Sequence, residues 1–469
     1  YMPRLNEYDT LVIWVSMPNG VIDSTTYDDT MQIITYGCEN LLSGDYIVGL
    51  DTGADYSSLT EFFNVLTLCG SLGDITLKFQ DGVYAENWDL SNLGDLMGSN
   101  TLTITNLSGN PDNVILRPTS NAGIVLNNTD NLIIEGITID AATSAYYAIQ
   151  FTGACQNVVI RNNKLYANST TTSSSYAVIY KTSSSGILDN IRIIGNYIDG
   201  GYYGIYLYGN GSGIANYNTN IYIDSNEITN AYYYSTYFYY TSFKSISNNN
   251  ISSSTTTKSG YFYGIRSYYC DIERLCNNMI YTRTVMNYNY GVYSYYLNVT
   301  TTGMPNALYS NNEFRLNGSS TTYGMYLYYA NLDVIHNSIY ANSTSSTYGL
   351  YTYGGSTSYI HNIKYNNIVC TYSSAYPIYI TATTVLPVWT MDYNNYYASS
   401  YVGYCGSTYN TISTWQSATS QDLHSVSVAP NFYNINNSLL LLEDMGLECP
   451  LDSSVMTDIK NVMRDTTTT

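Results

Sequence analysis

The chain has few charged residues and no long apolar run, and each shortage excludes a class of protein. Asp, Glu, Lys and Arg make up 11% of its 469 residues, with 16 basic residues against 35 acidic ones. The net charge of −19 argues against a nucleic-acid partner, because few cations are present to meet phosphates, and it favours solubility outside the cell. No run of about 18 apolar residues occurs, so we expect no membrane span.

Cysteine and histidine are equally sparse. The eight cysteines contain no Cys-x-x-Cys pair, which argues against a zinc site. Cys270 and Cys276 could form a disulfide in an oxidising compartment, and two buried free thiols are the alternative. His336, His361 and His424 match no triad or metal-ligand spacing, and His336 is interpreted as a turn residue. We therefore predict no metal and no cofactor. The first residues are not a signal peptide and are interpreted as a mature or trimmed N-terminus.

Tyrosine, by contrast, is in excess, with 56 copies, and it recurs in register with asparagine. Nine tandem units, whose column tyrosines are 25 to 33 residues apart, each carry one member of two columns. The tyrosine column is Tyr147, Tyr176, Tyr203, Tyr234, Tyr263, Tyr290, Tyr323, Tyr348 and Tyr376. The asparagine column is Asn163, Asn196, Asn226, Asn249, Asn278, Asn312, Asn337, Asn366 and Asn394. Tandem units with a fixed internal register indicate a solenoid.

The residues around each asparagine alternate between apolar and polar, as in 190–198 and 220–228, which predicts strands with one buried face. Each asparagine shares parity with an apolar residue two positions later, so we expect it to point inward at a bend. A buried asparagine is costly alone, but identical residues stacked about 4.8 Å apart can form a hydrogen-bonded ladder. Helical repeats need a period near 3.6, which is absent. The pattern predicts an all-β parallel β-helix of about eleven coils, roughly 50 Å long.

Four segments are predicted along the chain. Residues 1–40 form an irregular β segment, interpreted as the tail of a preceding domain. Residues 41–112 form an N-terminal cap, in which Ser58 opens a helix that ends near Gly70. Residues 113–396 hold the β-helix repeats. Residues 397–469 form a C-terminal capping region with a short helix over 414–422.

A second strand of each unit begins at the column tyrosine. The residue after it is small in all but the last unit, and the next is mostly apolar and faces the core. The residues three and five positions after the column tyrosine should share one outer face. We predict that this face binds a glycan or a protein partner, because tyrosine rings suit stacking on sugars and adaptable hydrogen bonding. Its residues are Tyr206, Tyr208, Tyr237, Tyr239, Tyr268, Tyr293, Tyr295, Tyr326, Tyr328, Tyr351, Tyr353 and Tyr379. The alternatives are that the stacked rings only stabilise the sheet, or that another domain or chain covers them.

A catalytic site is not evident in the sequence. Lyases and hydrolases of acidic polysaccharides need clustered carboxylates on neighbouring coils. The tripeptide Asn-Thr-Asp ends at Asp130, which we interpret as a turn residue. Arg192 and Arg274 share a register position but have two coils between them, and Asp224 has no acidic neighbours on adjacent coils. The densest charged group, Asp271 to Arg274, is interpreted as a solvated outer face. We predict no catalytic residues.

Several motifs resemble one known family. They include Leu-Ser-Gly-Asp-Tyr-Ile-Val at 42–48, Asp-Gly-Val-Tyr-Ala-Glu at 81–86, the Tyr-Gly-Ile-Tyr repeats, and Trp-Gln-Ser-Ala-Thr-Ser-Gln-Asp at 415–422. The closing segment 458–464 is similar too, with Asn461 where glycine is usual. This pattern resembles the pectate-lyase-like right-handed parallel β-helix proteins secreted by Bacteroidota.

The resemblance implies a right-handed β-helix exported by a type IX route as part of a surface protein. The sorting domain expected there is missing, which implies cleavage or truncation, and 9–11, 23–25 and 29–31 are similar to an O-glycosylation motif of that phylum. We predict an extracellular stalk, adhesin or glycan-contacting module whose partners are polysaccharide or other surface proteins. The alternatives are a polysaccharide lyase or glycoside hydrolase with an unrecognised site, and a self-assembling filament subunit.

Overall fold

The computed structural model describes residues 8–14, 30–36, 41–184, 186–256, 260–299, 304–353, 359–385, 388–443 and 446–464. From residue 42 to residue 405 the chain coils through three parallel sheets, adding one strand to each sheet per turn. The stack has about twelve turns, one more than predicted, because Ser71–Phe79, Gly82–Tyr84 and Trp88–Asp89 form a turn within the segment predicted as a cap. The strand Leu42–Val48 pairs with this turn and begins the stack. The fold is the all-β parallel β-helix that the repeat predicts.

The three sheets are named in the order in which the chain visits them. Sheet 1 contains Leu42–Val48, Ser71–Phe79, Leu102–Asn106, Thr129–Glu135, Cys155–Arg161, Leu188–Ile194, Asn218–Asp224, Thr241–Ser247, Arg274–Cys276, Ala307–Ser310, Leu332–Ile335, His361–Lys364 and Thr390–Asp392. Sheet 2 contains Gly82–Tyr84, Val114–Leu116, Thr138–Asp140, Lys164–Tyr166, Tyr197–Asp199, Glu227–Thr229, Asn250–Ser252, Met279–Tyr281, Ser338–Asn342, Asn367–Cys370 and Asn395–Tyr397. Sheet 3 contains Trp88–Asp89, Ala122–Leu126, Tyr147–Phe151, Ala177–Lys181, Tyr203–Tyr208, Tyr234–Tyr239, Tyr261–Ile272, Met286–Leu297, Thr347–Thr352, Tyr376–Ile380 and Gly403–Cys405. The long strand Glu313–Ala330 starts in sheet 2 and ends in sheet 3, and Tyr261–Ile272 reaches sheet 1.

Short elements flank the stack. The predicted helix is present as Leu59–Cys69, where the Ser58 side chain accepts the backbone N–H of Glu61 and Gly70 ends the helix. The other α-helices are Leu93–Met97 and Ile412–Thr419, the latter starting before the predicted 414, and short 3-10 turns occupy Pro111–Asn113 and Ile214–Asn216. Antiparallel pairs are Tyr8–Trp14 with Thr30–Tyr36, Gly403–Cys405 with Thr408–Tyr409, and Phe432–Asn434 with Ser438–Leu441. The motif at 23–25 lies outside the described residues. In the described parts of the chain, no helix is long and apolar enough to cross a membrane.

The asparagine ladder is confirmed and lies in the turn between sheets 1 and 2. Asn278 shows the repeated pattern: its Oδ1 accepts the backbone N–H of Asn249 at 3.0 Å, and its Nδ2 donates to Asn312 Oδ1 at 2.9 Å. The same Nδ2 also donates to the Ile246 carbonyl at 2.8 Å. All nine column asparagines are buried. At the C-terminal end, the ladder passes from Asn394 to Asp422 and Ser425.

The tyrosine column is in register except in its second unit. Tyr147 pairs with Ala177, and Ala177 pairs with Tyr203, so Tyr176 lies one residue before the column. The prediction was wrong there because tyrosine also occupies the preceding position in several coils. The small residues after the column are explained by close approach: a Cβ on Gly291 would lie 2.5 Å from the Gly324 carbonyl oxygen and 2.6 Å from the Phe314 ring.

The cysteines follow the second of the two alternatives. Cys270 and Cys276 are free and buried, so the bridge between them is not formed. Cys69, at the end of the first helix, is disulfide-bonded. Asn461 has a φ of 61°, which explains why this position of the closing segment suits glycine or asparagine.

Candidate functional site: a face of stacked tyrosines

The outer face of sheet 3 carries parallel rows of tyrosines, because parallel pairing places equivalent residues of successive coils beside each other. Row 1 continues the column: Tyr203, Tyr234, Tyr263, Tyr290, Tyr323, Tyr348 and Tyr376. Row 2 is Tyr180, Tyr206, Tyr237, Tyr293, Tyr326, Tyr351, Tyr379 and Tyr404. Row 3 is Tyr208, Tyr239, Tyr268, Tyr295, Tyr328 and Tyr353. All twelve residues predicted for the binding face belong to rows 2 and 3.

Rings within a row stack on each other. In row 2 the Tyr293 and Tyr326 centroids are 4.7 Å apart with an interplanar angle of 1°, and Tyr351 and Tyr379 are 5.0 Å apart at 4°. In row 3 the centroids of Tyr208 and Tyr239 are 4.6 Å apart at 7°. These spacings follow from the distance between neighbouring strands of about 4.8 Å. Each stacked pair adds stability beyond its buried area, so the rows support the sheet.

Rings in different rows also contact each other. Row 1 meets row 2 edge to face, as between Tyr323 and Tyr326 at 5.4 Å and 88°. Row 2 lies nearly parallel to row 3 where Tyr326 meets Tyr328, at 5.8 Å and 14°. Every tyrosine of the predicted set is half-buried. Because neighbouring rings cover the ring faces along a row, the accessible parts are ring edges and hydroxyl ends. Flat stacking of a sugar on a ring face, the contact expected from the sequence, is therefore unfavourable inside the rows.

One cation interrupts row 2. Arg266 pairs with Tyr237 on one side and Tyr293 on the other. Its guanidinium carbon lies 4.7 Å from the Tyr237 ring centroid and 5.5 Å from that of Tyr293, and Nη1 donates to the Tyr234 hydroxyl at 2.8 Å. Arg266 thus replaces a ring by a cation–π contact and keeps the stack continuous.

Burial disfavours the ionised form of several tyrosines on this face. Burial raises the pKa of Tyr351 to about 12. Burial likewise raises the pKa of Tyr234 to about 12, although Arg266 opposes the shift. For Tyr206, Tyr263 and Tyr326 burial raises the pKa further. A phenolate in one row would be desolvated and would repel its neighbours, so the protonated form is favoured.

Sequence reasoning missed two members of row 2 and a fourth row. Tyr180 was missed because of the register error at Tyr176, and Tyr404 because it lies beyond the predicted repeats. The centroids of Tyr379 and Tyr404 are 4.4 Å apart. The fourth row lies at the corner after sheet 3, where each residue has a positive φ: Tyr240, Tyr269, Tyr296 and Tyr329. Left-handed backbone is unusual for tyrosine, and doubled tyrosines at 239–240, 268–269, 295–296 and 328–329 are the signal for it.

The charged residues of the sequence search lie on another surface. Asp271, Glu273 and Arg274 line a groove of about 770 Å3 on sheet 1, together with Met304 and Leu308. Glu273 is ion-paired with Lys244. Asp130 is part of the strand Thr129–Glu135 and accepts the backbone N–H of Gln156 at 2.8 Å, so its assignment to a turn was wrong.

Asp224 and the histidines have structural contacts. Asp224 accepts hydrogen bonds from Ser245 Oγ at 2.6 Å and Ser247 N at 2.9 Å, and burial raises its carboxyl pKa. His336 lies in a turn, as predicted, with a φ of 56°. His361 is buried between the Thr352 hydroxyl and the Ala330 carbonyl, and His424 contacts Asp392.

A comparison of the sequence with models of protein families gives a match that is consistent with the parallel three-sheet fold described above. Residues 97–269 match the family model described as a right-handed beta helix region. Among solved structures, the right-handed β-helix is similar to the crystal structure of the Dettilon tailspike protein (gp208). The two share 13% sequence identity and a TM-score of 0.40, and the match covers 76% of this chain and 68% of that one. None of the curated proteins gives a significant match to the sequence.

Proposed function

We propose that the chain is an extracellular, non-catalytic β-helix module, a surface stalk or adhesin, that contacts polysaccharide through its tyrosine rows. The observation that carries the proposal is the continuity of row 2 from Tyr180 to Tyr404, interrupted only at Arg266. Export by a type IX route in a bacterium of the Bacteroidota, and O-glycosylation near the N-terminus, belong to the same proposal and rest on the sequence resemblance.

The chemistry of the rows favours a long, hydroxyl-rich partner. Row 2 spans nine coils, which at about 4.8 Å per step is roughly 38 Å from its first ring to its last, the length of an extended polymer segment and much more than a small ligand. Neutral tyrosines offer apolar ring edges together with hydroxyl donors and acceptors, which suits the mixed surface of a glycan. Stacking fixes the rings before binding, so little side-chain entropy is lost on contact.

A comparison of two sets of variants tests the proposal. The triple variant Tyr293→Phe, Tyr326→Phe, Tyr351→Phe keeps the stack and removes only hydroxyls, whereas the corresponding alanine variant removes the rings. The control is Tyr166→Ala with Tyr197→Ala, a pair on sheet 2 with centroids 5.8 Å apart. Binding is measured by affinity electrophoresis and pull-down with neutral and acidic polysaccharides. We expect the alanine variant to weaken binding about tenfold or more, the phenylalanine variant less, and the control not at all.

Equal binding by all variants, or no binding by the wild type, contradicts the proposal. Concentration-dependent sedimentation of the wild type that the alanine variant abolishes would instead assign the face to contacts between copies in a filament.

A polysaccharide lyase or hydrolase is the second candidate, favoured by the 770 Å3 groove that contains Asp271, Glu273 and Arg274. A groove of this size accommodates a ligand of several rings. Formation of unsaturated products or new reducing ends from polygalacturonate, lost on Arg274→Gln, would support it.

A further inference from the structure

A cavity of about 280 Å3 lies where the C-terminal segment folds back over the turns that join sheets 1 and 2. One wall contains His336, Tyr365 and Tyr393, whose rings follow each other with centroids 4.9 Å and 5.6 Å apart. The opposite wall includes Leu439 and Ile459. None of the lining residues belongs to the tyrosine rows. Since a water occupies about 30 Å3 of liquid volume, the cavity is several times larger than one water.

Hydrogen bonds fix the segment that closes the cavity. Asn311 Nδ2 donates to the Thr457 carbonyl at 2.7 Å, and Arg464 Nη2 donates to Asn311 Oδ1 at 2.7 Å. The backbone N–H of Leu439 donates to Glu313 Oε2 at 3.0 Å. These contacts join residues far apart in sequence, so the cavity is a built feature of the folded chain.

The polar atoms at the cavity are incompletely satisfied. His336 Nε2, Asn367 Nδ2 and Arg464 Nε are buried and have no hydrogen-bond partner within the described ranges. Glu313 is 6% exposed, and its Oε1 lies 2.8 Å from Arg315 Nε in an ion pair. Buried polar atoms are nearly always paired, and three unpaired atoms on residues that line one cavity indicate a ligand that supplies the partners.

The charges around the cavity are balanced. Glu313 is paired with Arg315, and Asp458 lines the same cavity as Arg464. Burial, and to a smaller extent Arg464, lower the pKa of His336 to about 3, so its imidazole is neutral at pH 7. A net ion would find no opposite excess charge here. A neutral ligand with both hydroxyl donors and acceptors matches the set, and its apolar side can lie against the aromatic and aliphatic walls.

We propose that this cavity binds a single neutral sugar residue or a cyclic polyol of that size, on a surface separate from the tyrosine face. His336, Asn367 and Arg464 bind its hydroxyl groups. The site goes beyond the proposed polysaccharide contact, because it would select one small ring rather than a long chain.

Ligand-observed NMR and titration calorimetry with glucose, galactose, mannose and N-acetylglucosamine test the site in the full chain. His336→Asn is matched to the fold, because asparagine holds the same turn position at Asn248, Asn277 and Asn311, all with positive φ. Asn367→Asp keeps the Oδ1 that accepts from Asn395 and removes the unpaired donor. The control Asn277→Asp changes a residue that contacts Asn461 of the same segment but does not line the cavity.

We expect saturable binding of at least one of these sugars, weakened about tenfold or more by His336→Asn and by Asn367→Asp, the loss expected for a buried hydrogen bond. Asn277→Asp and the alanine variant of the tyrosine rows should bind as the wild type does, which separates this site from the proposed function. Absence of saturable binding, equal binding by the cavity variants, or tighter binding of galacturonate than of galactose would overturn the proposal.

Discussion

At the scale of the residue, the asparagine ladder shows why one residue type recurs in every coil. The side-chain amide of Asn278 accepts a hydrogen bond from Asn249 and donates to Asn312 and to the Ile246 carbonyl. It therefore links its own coil to the coil before it and the coil after it. Only a side chain with both a donor and an acceptor of this length can repeat the pattern along the axis. The ladder could be predicted from the sequence because buried amides have so few other arrangements.

We expect Asn278→Ala to lower the free energy of unfolding by about 3–5 kcal/mol, because it leaves several buried donors and acceptors unpaired. The control Asn287→Ala removes an exposed side chain whose Oδ1 accepts from Ser319, and it should cost less than about 0.5 kcal/mol. Equilibrium denaturation monitored by circular dichroism measures both. Similar stabilities of the two variants would show that the ladder contributes little.

Lys181 is a buried cation that the sequence reading did not predict. It occupies a core-facing position of sheet 3 between Phe151 and Leu207, is 0% exposed, and donates from Nζ to the Tyr208 carbonyl at 2.7 Å. Burial lowers the pKa of its ammonium group from 10.5 to about 8. The folded state therefore binds this proton less tightly than the unfolded state, and the penalty grows as the pH falls from 10.5 to about 8.

We expect Lys181→Met to remove this pH dependence. Relative to the wild type, the variant should gain about 3 kcal/mol of stability between pH 10.5 and pH 7, since each pKa unit corresponds to about 1.4 kcal/mol. At high pH it should be the less stable of the two, because the carbonyls of Tyr208 and Thr182 lose their donor. Urea denaturation at several pH values measures the difference, and parallel curves for the two proteins would contradict the assignment.

At the scale of the element, strand register decides which residues share a face. Eight of the nine coils could be aligned from the sequence, because in most of them a small residue follows the tyrosine and an apolar one comes next, as at Gly291 and Val292. The alignment failed at Tyr176 because tyrosines also precede the column, at Tyr146, Tyr202 and Tyr233, so a shift of one residue preserved the tyrosine match. A shift of one residue reverses inside and outside in a strand, and it concealed both Tyr180 and Lys181.

The C-terminal segment was unpredictable for a different reason. Its contacts reach back 146 and 153 residues, from Thr457 and Arg464 to Asn311. No periodic pattern connects residues so far apart, because the segment does not repeat. The cavity at His336 and Asn367 follows from these contacts and could not be located before the chain was seen folded.

At the scale of the whole molecule, the tyrosine rows add a stacking contact at each junction between neighbouring coils. Aromatic contacts continue from Tyr147 and Tyr180 to Tyr379 and Tyr404 along one side of the rod. Stability of the rod is therefore tied to one titratable group type repeated on each coil from Tyr147 onward. A change in the ionisation of tyrosine should act on these coils together.

We expect stability to be lost cooperatively at alkaline pH. Tyr234 and Tyr351 have pKa values raised to about 12 in the folded state, above the ordinary value of 10.0, so their protonated forms contribute stability below pH 10. This contribution is lost as the pH rises from 10 towards 12, and the raised pKa values of Tyr206 and Tyr326 act in the same direction. Apart from the rise that Lys181 contributes between about pH 8 and pH 10.5, melting temperatures should be nearly constant from about pH 7 to 9, and they should fall steeply above about pH 10.

Tyrosinate absorbance, recorded with circular dichroism during the same titration, distinguishes the rows from ordinary surface tyrosines. If burial in the stacked rows keeps the tyrosine hydroxyls protonated, tyrosinate should appear in step with the loss of β-structure. The alanine triple variant at Tyr293, Tyr326 and Tyr351 breaks row 2 and should shift both transitions together to lower pH. Independent ionisation near pH 10 in a protein that keeps its β-structure would mean that the rings are solvated, and that the rows do not act as one stabilising unit.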